Sequence, residues 1–294
     1  MNQLQQQLQQ LYGDSSKHAN YQNVPAFVQE ALGYQETIDE SWRGDRARYA
    51  WLTPALELSA HQTVADIGAN TGFFVLSLAH RHPDCSFVAY ESHPNHVDFI
   101  RLVVDAFELG NVAVEAQPVD LAAIDQLPHC DVLLHLNVLH HAGHDFDRGL
   151  VAGPQALAPY AQAYLSKLAG KGSRLVFQMG YNWGGDKAQP IVDPHDQAGM
   201  VRWLTDVLGR SGWQVQALAF ATRDERGDIV YRNLPPALIA AAGQPQPDSA
   251  ALSQAIAGYH LGQFKGEFYR RPLLICRSTA PRAAQTPESK GVSA

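Results

Sequence analysis

The chain has 294 residues, an apolar fraction of 46%, a charged fraction of 17% and a formal charge of −7. That length suits one large α/β domain or two small ones, and the composition is that of a globular chain with a core to bury. The acidic balance argues against a general nucleic-acid binder, which carries a basic surplus, while leaving room for a local basic pocket.

The amino-terminal "MNQLQQQLQQLYG" has no charged region leading into an apolar core, so no signal peptide is expected. Leu4, Leu8 and Leu11 give it the stripe of a Gln-rich helix. A polar loop (13–25) follows, then helical spacing over 26–60, so residues 1–60 are expected to form a helical cap. No run of about 18 apolar residues occurs, so no membrane helix is expected. Cys85, Cys130 and Cys276 are scattered, with no CxxC pair, as expected of reduced thiols. Together these features predict a soluble cytoplasmic protein.

From residue 61 short apolar runs alternate with helix-length segments. "TVADIG" (63–68), "SFVAYE" (86–91), "VAVEAQPVD" (112–120), "CDVLLHLNVL" (130–139) and "SRLVFQMG" (173–180) read as five strands. Helices are expected at 73–82, after the second strand, and near 154–169. This order implies a parallel sheet with right-handed crossovers. A helix near 196–211 precedes two further strands, "QVQALAFATR" (214–223) and "RPLLICRS" (271–278). The segment between them, about 224–270, is long enough to be a lid or recognition element. The Ser/Pro/Ala-rich tail (279–294) reads as disordered.

Ligands of an open parallel sheet sit at the carboxyl ends of the strands, so the residues closing each strand carry the chemistry. The first strand closes in Asp66-Ile67-Gly68-Ala69-Asn70-Thr71-Gly72. A dinucleotide fingerprint would need glycine where Asn70 and Phe73 stand, and there is no G-K-[ST]. The loop is therefore wrong for a pyrophosphate at a helix amino end. It resembles the D/E-x-G-x-G-x-G loop of class I S-adenosylmethionine (SAM)-dependent methyltransferases, with Asn70 at the middle glycine, where asparagine tolerates a left-handed backbone.

The resemblance covers residues 60–180 and, more loosely, 200–278. It implies an α/β Rossmann-like methyltransferase fold: a seven-stranded, mostly parallel sheet with an antiparallel last strand and helices on both faces. The domain would span 61–278. SAM is the implied cofactor. Asp66 would help hold its methionine ammonium, with Gly68, Ala69, Asn70, Thr71 and Gly72 forming the loop. Glu91, followed by Ser92, would accept from both ribose hydroxyls. Asp120, followed by Leu121, would accept from the adenine amino group, and Asn137 and Val138 would close the site at the end of the fourth strand. In the amino-terminal segments Arg43 could pair with the methionine carboxylate and Tyr21 could cover the reacting methyl, with Lys17 a further candidate for the cofactor.

"DVLLHLNVLHHAGHDFD" (131–147) resembles the post-strand-four segment of small-molecule methyltransferases. A hydroxyl acceptor must lose a proton, and histidine is the natural base. His140 and His141 are the candidates; being adjacent they point apart, so one faces the acceptor and the other packs or caps. His135, His144, Asp145 and Asp147 extend the group toward a metal set, but His135 lies mid-strand, and no metal is expected. In "QMGYNWGGD", Tyr181, Asn182 and Trp183 could wall an acceptor pocket suited to a sugar or other polar ligand. Lys265, Arg270 and Arg271 gather positive charge, with Arg270 the candidate for an anionic acceptor. Asp224, Glu225, Asp228 and Glu267 interleave with them, as in a salt-bridged surface.

The expected activity is methyl transfer from SAM to a polar small molecule or glycan terminus, most naturally at oxygen, without nucleic-acid or integral-membrane contact. "SKHANYQ" and "GYNWGG" add a faint likeness to bacterial lipopolysaccharide- or polysaccharide-modifying methyltransferases. N-methylation, a silent SAM-binding subunit and a nicotinamide oxidoreductase are the rivals.

Overall fold

Central strands buried on both faces read as continuous apolar runs, whereas an edge strand alternates. The computed structural model, which describes residues 3–7, 23–33, 44–244, 249–265 and 267–281, follows this rule. The strands are β1 (Thr63–Ile67), β2 (Ser86–Tyr90), β3 (Val112–Glu115), β4 (Cys130–Leu136), β5 (Gly172–Gln178), β6 (Trp213–Arg223), β7 (Ile229–Asn233) and β8 (Leu273–Ser278). β4 is buried at every position but Asp131, while β3, at the sheet edge, alternates between half-buried and exposed.

The sheet order is β3-β2-β1-β4-β5-β8-β6-β7. β1 to β5 run parallel, and β8 is antiparallel to both β5 and β6. The chain reverses its direction of winding between β1 and β4, so the crevice at their carboxyl ends is where a ligand is expected. The helices are α1 (Ala26–Leu32), α2 (Asp45–Leu56), α3 (Phe73–Arg81), α4 (Pro94–Ala106), α5 (Pro154–Ala169), α6 (Gln197–Arg210), α7 (Pro236–Ala242) and α8 (Ser249–Ala257). They pack around a Rossmann-like sheet, and residues 3–7 are also helical. The remainder of the expected amino-terminal helix, Lys17, Tyr21, Arg43 and nearly all of the tail lie outside the described residues.

The sheet has eight strands where the sequence predicts seven. The charged run "TRDERGDIVYRN" is a hairpin: β6 turns at Asp224, whose Oδ1 accepts from the N–H groups of Arg226 and Asp228 at 3.0 and 2.9 Å. Gly227 takes the positive φ of 86° that closes the turn. The following β7 pairs antiparallel with β6. Alternating charge hid this edge strand, because an edge needs only one apolar face and charge there prevents pairing with other chains. α7 and α8 pack on α6. In the carboxyl-terminal part of the segment 224–270 and just beyond it, Phe268 and Arg271 reach the crevice.

Candidate active site

β1 delivers its chain into a loop with three left-handed residues: Gly68 (φ 73°), Asn70 (φ 54°) and Gly72 (φ 78°). A Cβ on Gly68 would stand 2.5 Å from Cγ2 of Val138, so only glycine fits there. Asn70 manages its left-handed backbone because its Oδ1 accepts from Thr71 N–H at 2.9 Å. Gly68 and Ala69 donate to the carbonyl of Tyr90, folding the loop over the end of β2. Gly68 and Asn70 line a cleft of about 720 Å³; Ala69 and Thr71 are buried, and neither they nor Gly72 line it.

Glu91, 8% exposed, ties this loop to the end of β2. Its Oε2 accepts from Asn70 N–H at 2.7 Å, and its Oε1 from the N–H groups of Ser92 and His93 at 2.9 and 2.7 Å. Burial alone would raise its pKa. The side chain of His96 and the backbone N–H groups of His93 and Asn70 more than offset that, so the carboxyl titrates below the ordinary glutamate range. Glu91 thus stays charged, and Oε2 retains a lone pair toward the cleft, which Ser92, His93 and His96 also line. Asp66, 2% exposed, lies beneath the loop, and its Oδ2 has no partner among the described residues. Burial, and then the charge of Glu91, push its pKa up to about 7.

Asp120 sits differently from its sequence reading. β3 ends at Glu115, so Gln117, Pro118 and Val119 occupy the cleft wall. Asp120 turns away: its Oδ1 caps the N–H groups of Ala122 and Ala123 at 3.1 and 2.7 Å. Leu121 donates its N–H to Oδ2 of Asp147 at 2.8 Å and does not line the cleft.

After β4 the chain passes through Asn137 (φ 62°) and Val138 into a 3₁₀ turn, Leu139–His141. The two histidines diverge, as adjacent residues must. His140 is 2% exposed, and its Nδ1 accepts from Gly180 N–H at 3.2 Å. Burial, then the charges of His141 and Arg271, hold its pKa well below the usual histidine range. The neutral ring therefore carries its proton on Nε2, which makes that edge a donor and not a base. His141 is more open, with Nδ1 3.1 Å from Oδ2 of Asp145, close enough for an ion pair though not aligned as a hydrogen bond. A carboxylate beside Nδ1 favours the proton there, leaving Nε2 as the free lone pair.

A polar network floors the other half of the cleft. Arg48 is 2% exposed and hydrogen-bonds to Asp45 and, at 3.1 Å, to Oε1 of Gln178. Gln178 Oε1 also accepts from Asn137 Nδ2 at 2.9 Å, and Asn137 Oδ1 accepts from Arg271 Nη1 at 2.9 Å. Arg271 donates to Glu267, which also accepts from Asn182 Nδ2. The guanidiniums of Arg48 and Arg271 stand 4.9 and 5.4 Å from the centre of the Phe268 ring.

The aromatic wall expected from "GYNWGG" is not one. Tyr181 is buried and donates to the carbonyl of Arg270 at 2.8 Å; Asn182 braces Glu267; Trp183 donates to the carbonyl of Ala142 at 2.7 Å. These three donors are consumed internally, and from this segment only Gly184 and Gly185 line the cleft. Arg270 also lies outside the lining, with Nη1 3.3 Å from Nδ1 of His195. The cleft arginines are instead Arg48, Arg148 and Arg271. Arg48 carried a legible signal: it falls in phase with Leu52 and Leu56, placing a charge on the buried stripe of α2. His135 is enclosed between Tyr164 and Phe177, and burial pushes its pKa down to about 4. Among the described residues no group of three or more His, Cys, Asp or Glu could hold a metal ion.

No protein-family model and no curated protein matches the chain. Solved structures resemble it distantly. Magnesium protoporphyrin IX methyltransferase (ChlM) from Synechocystis PCC 6803, with bound SAM, is 14% identical with a TM-score of 0.47, covering 94% of this chain and 92% of ChlM. The StiE O-MT is 14% identical at a TM-score of 0.46, covering 89% and 85%. WbdD, crystallised with a kinase inhibitor, is 16% identical at 0.49, covering 94% of this chain and 69% of that one. At such distances the chemistry must be decided by the site's own geometry.

Proposed function

We propose that this chain is a SAM-dependent methyltransferase acting at oxygen on a polar small molecule or glycan terminus. The observation that carries this reading is the convergence, at the switch point of the sheet, of a loop unfit for pyrophosphate, a charged Glu91 and the His141–Asp145 pair on one cleft. Two features suit the cofactor: the bare backbone that Gly68 presents to the cleft, Val138 filling the place of a Cβ, and the Oδ2 of buried Asp66, which has no partner among the described residues and calls for a cation such as an ammonium. Gly68, Asn70 and Glu91 would hold it, with Asp66 beneath. SAM supplies, when bound, a methyl group already activated on a sulfonium.

The chain's own work is alignment and proton removal. His141 takes the acceptor's hydroxyl proton on Nε2 while Asp145 steadies Nδ1 and stabilises the cation that forms. His140 cannot share this role, because its free edge donates. The cleft is lined by Leu136, Val138, Phe146 and Phe268 beside these groups, which limits water at the reacting oxygen.

The test is transfer of labelled methyl from SAM across a panel of hydroxylated acids, sugars and phenols. The reading expects a turned-over hydroxyl acceptor, with transfer lost in His141→Gln and cofactor affinity retained. Transfer only to amines, unaffected by His141→Gln, would favour N-methylation; no transfer despite cofactor binding would favour a silent subunit.

A further inference from the structure

We propose that the acceptor carries an anionic oxygen group, a carboxylate or phosphate, beside the methylated hydroxyl, and that Arg271 and the Nε2–H of His140 bind it. The inference rests on the methyltransferase reading and adds the acceptor's chemical class.

Three observations carry it. First, charge is segregated along the cleft. Its five formally charged lining residues are Arg48, Glu91, Asp145, Arg148 and Arg271. Glu91 is committed to the loop at the end of β2, and Asp145 to His141. The acidic partners of Arg48 and Arg271, Asp45 and Glu267, lie off the cleft lining, and Arg148 donates to the carbonyl of His144. A chain of formal charge −7 therefore presents guanidiniums to this part of its cleft.

Second, Arg271 has donors to spare. Of its five N–H groups, hydrogen bonds to Asn137 and Glu267 occupy two, and Nε has no partner among the described residues. The Nε of buried Arg48 likewise has no partner among the described residues. Buried guanidinium donors left open are costly unless a ligand completes them. Glu267 is itself fixed by Asn182, so it orients the fork of Arg271 and leaves its other edge for a second anion.

Third, His140 and Arg271 converge. A Cβ on Gly180 would lie 2.7 Å from Nε2 of His140 and 3.1 Å from Cζ of Arg271, so both groups border the space over that glycine. His140 spends Nδ1 on Gly180 N–H and turns a fixed Nε2–H donor to the same place. The ring centroid of His141 is 4.2 Å from that of His140. An oxyanion held by His140 and Arg271 thus sets a neighbouring hydroxyl beside the base. Gly180 is needed for this approach, since a Cβ there would push into both His140 and Arg271.

The experiment measures binding to the protein saturated with S-adenosylhomocysteine, at constant ionic strength. Glycolate is compared with glycolamide, salicylate with salicylamide, and inorganic phosphate is titrated alone and in competition with the acids. At least one acid is expected to bind about tenfold or more tightly than its amide. Arg271→Gln is expected to bring that ratio close to one while leaving S-adenosylhomocysteine affinity within about threefold. Phosphate displacing the acids at lower concentration assigns the group to phosphate; the reverse assigns it to carboxylate. If no acid outbinds its amide and phosphate does not bind, the inference is wrong although the cofactor reading stands. Failure of S-adenosylhomocysteine itself to bind strikes the cofactor reading, and the acid–amide ratio is then measured on the protein alone. Should Arg271→Gln not fold, Arg271→Lys keeps the charge and loses the fork; an unchanged ratio there overturns the assigned role of Arg271.

Discussion

Asp66 is a carboxylic acid buried for something other than stability. Its pKa rises from the ordinary 3.8 to about 7, through burial first and the nearby charge of Glu91 second. At about 1.36 kcal/mol per pH unit, this corresponds to a ceiling of about 4 kcal/mol of destabilisation once both states are ionised. The sign follows from proton counts. Between pH 4 and 7 the folded protein keeps a proton that the unfolded chain has released, so stability falls as pH rises through this window and levels off above it. Asp66→Asn removes the ionisable group at nearly constant volume. Relaxation around the site reduces the ceiling, so the ligand-free variant is expected to be about 1–3 kcal/mol more stable than wild type near pH 8, with little difference near pH 4. Urea unfolding of both proteins at several pH values between these limits measures the difference curve directly. The same variant should bind S-adenosylhomocysteine more weakly, since the buried charge meant for the ammonium is gone. If Asp66→Asn destabilises the protein equally across the pH range, the carboxyl is a hydrogen-bonding strut and the reasoning fails.

Three further outcomes follow from the site. Gly68→Ala, which sets a Cβ 2.5 Å from Val138 at φ 73°, should lower S-adenosylhomocysteine affinity by about tenfold or more, read by calorimetry. Glu91→Gln keeps its shape but loses its charge; cofactor affinity should fall by about 10–100-fold, with thermal unfolding reporting any loss from the loop itself. His141→Gln should lower kcat by about 10²–10⁴-fold with the cofactor KM unchanged, and should abolish the rise of rate with pH that a histidine base produces.

Much of the sheet was legible because parallel strands announce themselves as apolar runs. β1, β2, β4 and β5 fall within two or three residues of their predicted ends. β7 was not, because a charged hairpin edge has the composition of a loop. The loop from Asp66 to Gly72 and Glu91 could be read as local chemistry: left-handed turns and an acid closing a strand. Asp120 was misplaced because β3 stops five residues early, and a strand's end, unlike its core, leaves no apolar mark. The acceptor half depends on contacts between distant segments, such as Gln178 with Arg48 and Asn137 with Arg271. No spacing rule links residues 48, 137, 178 and 271. Tyr181, Asn182 and Trp183 had the right chemistry for a pocket wall, but burial turned their polar atoms inward. Which histidine keeps a free lone pair was likewise decided by tertiary partners, Gly180 for one and Asp145 for the other.

The central claim is that the loop and Glu91 form a seat for SAM. Isothermal titration of the purified chain with S-adenosylhomocysteine, set beside NAD⁺ under the same conditions, tests it most directly. The account predicts one S-adenosylhomocysteine bound per chain at micromolar or tighter affinity and no heat from NAD⁺; saturable NAD⁺ binding without S-adenosylhomocysteine binding would contradict it.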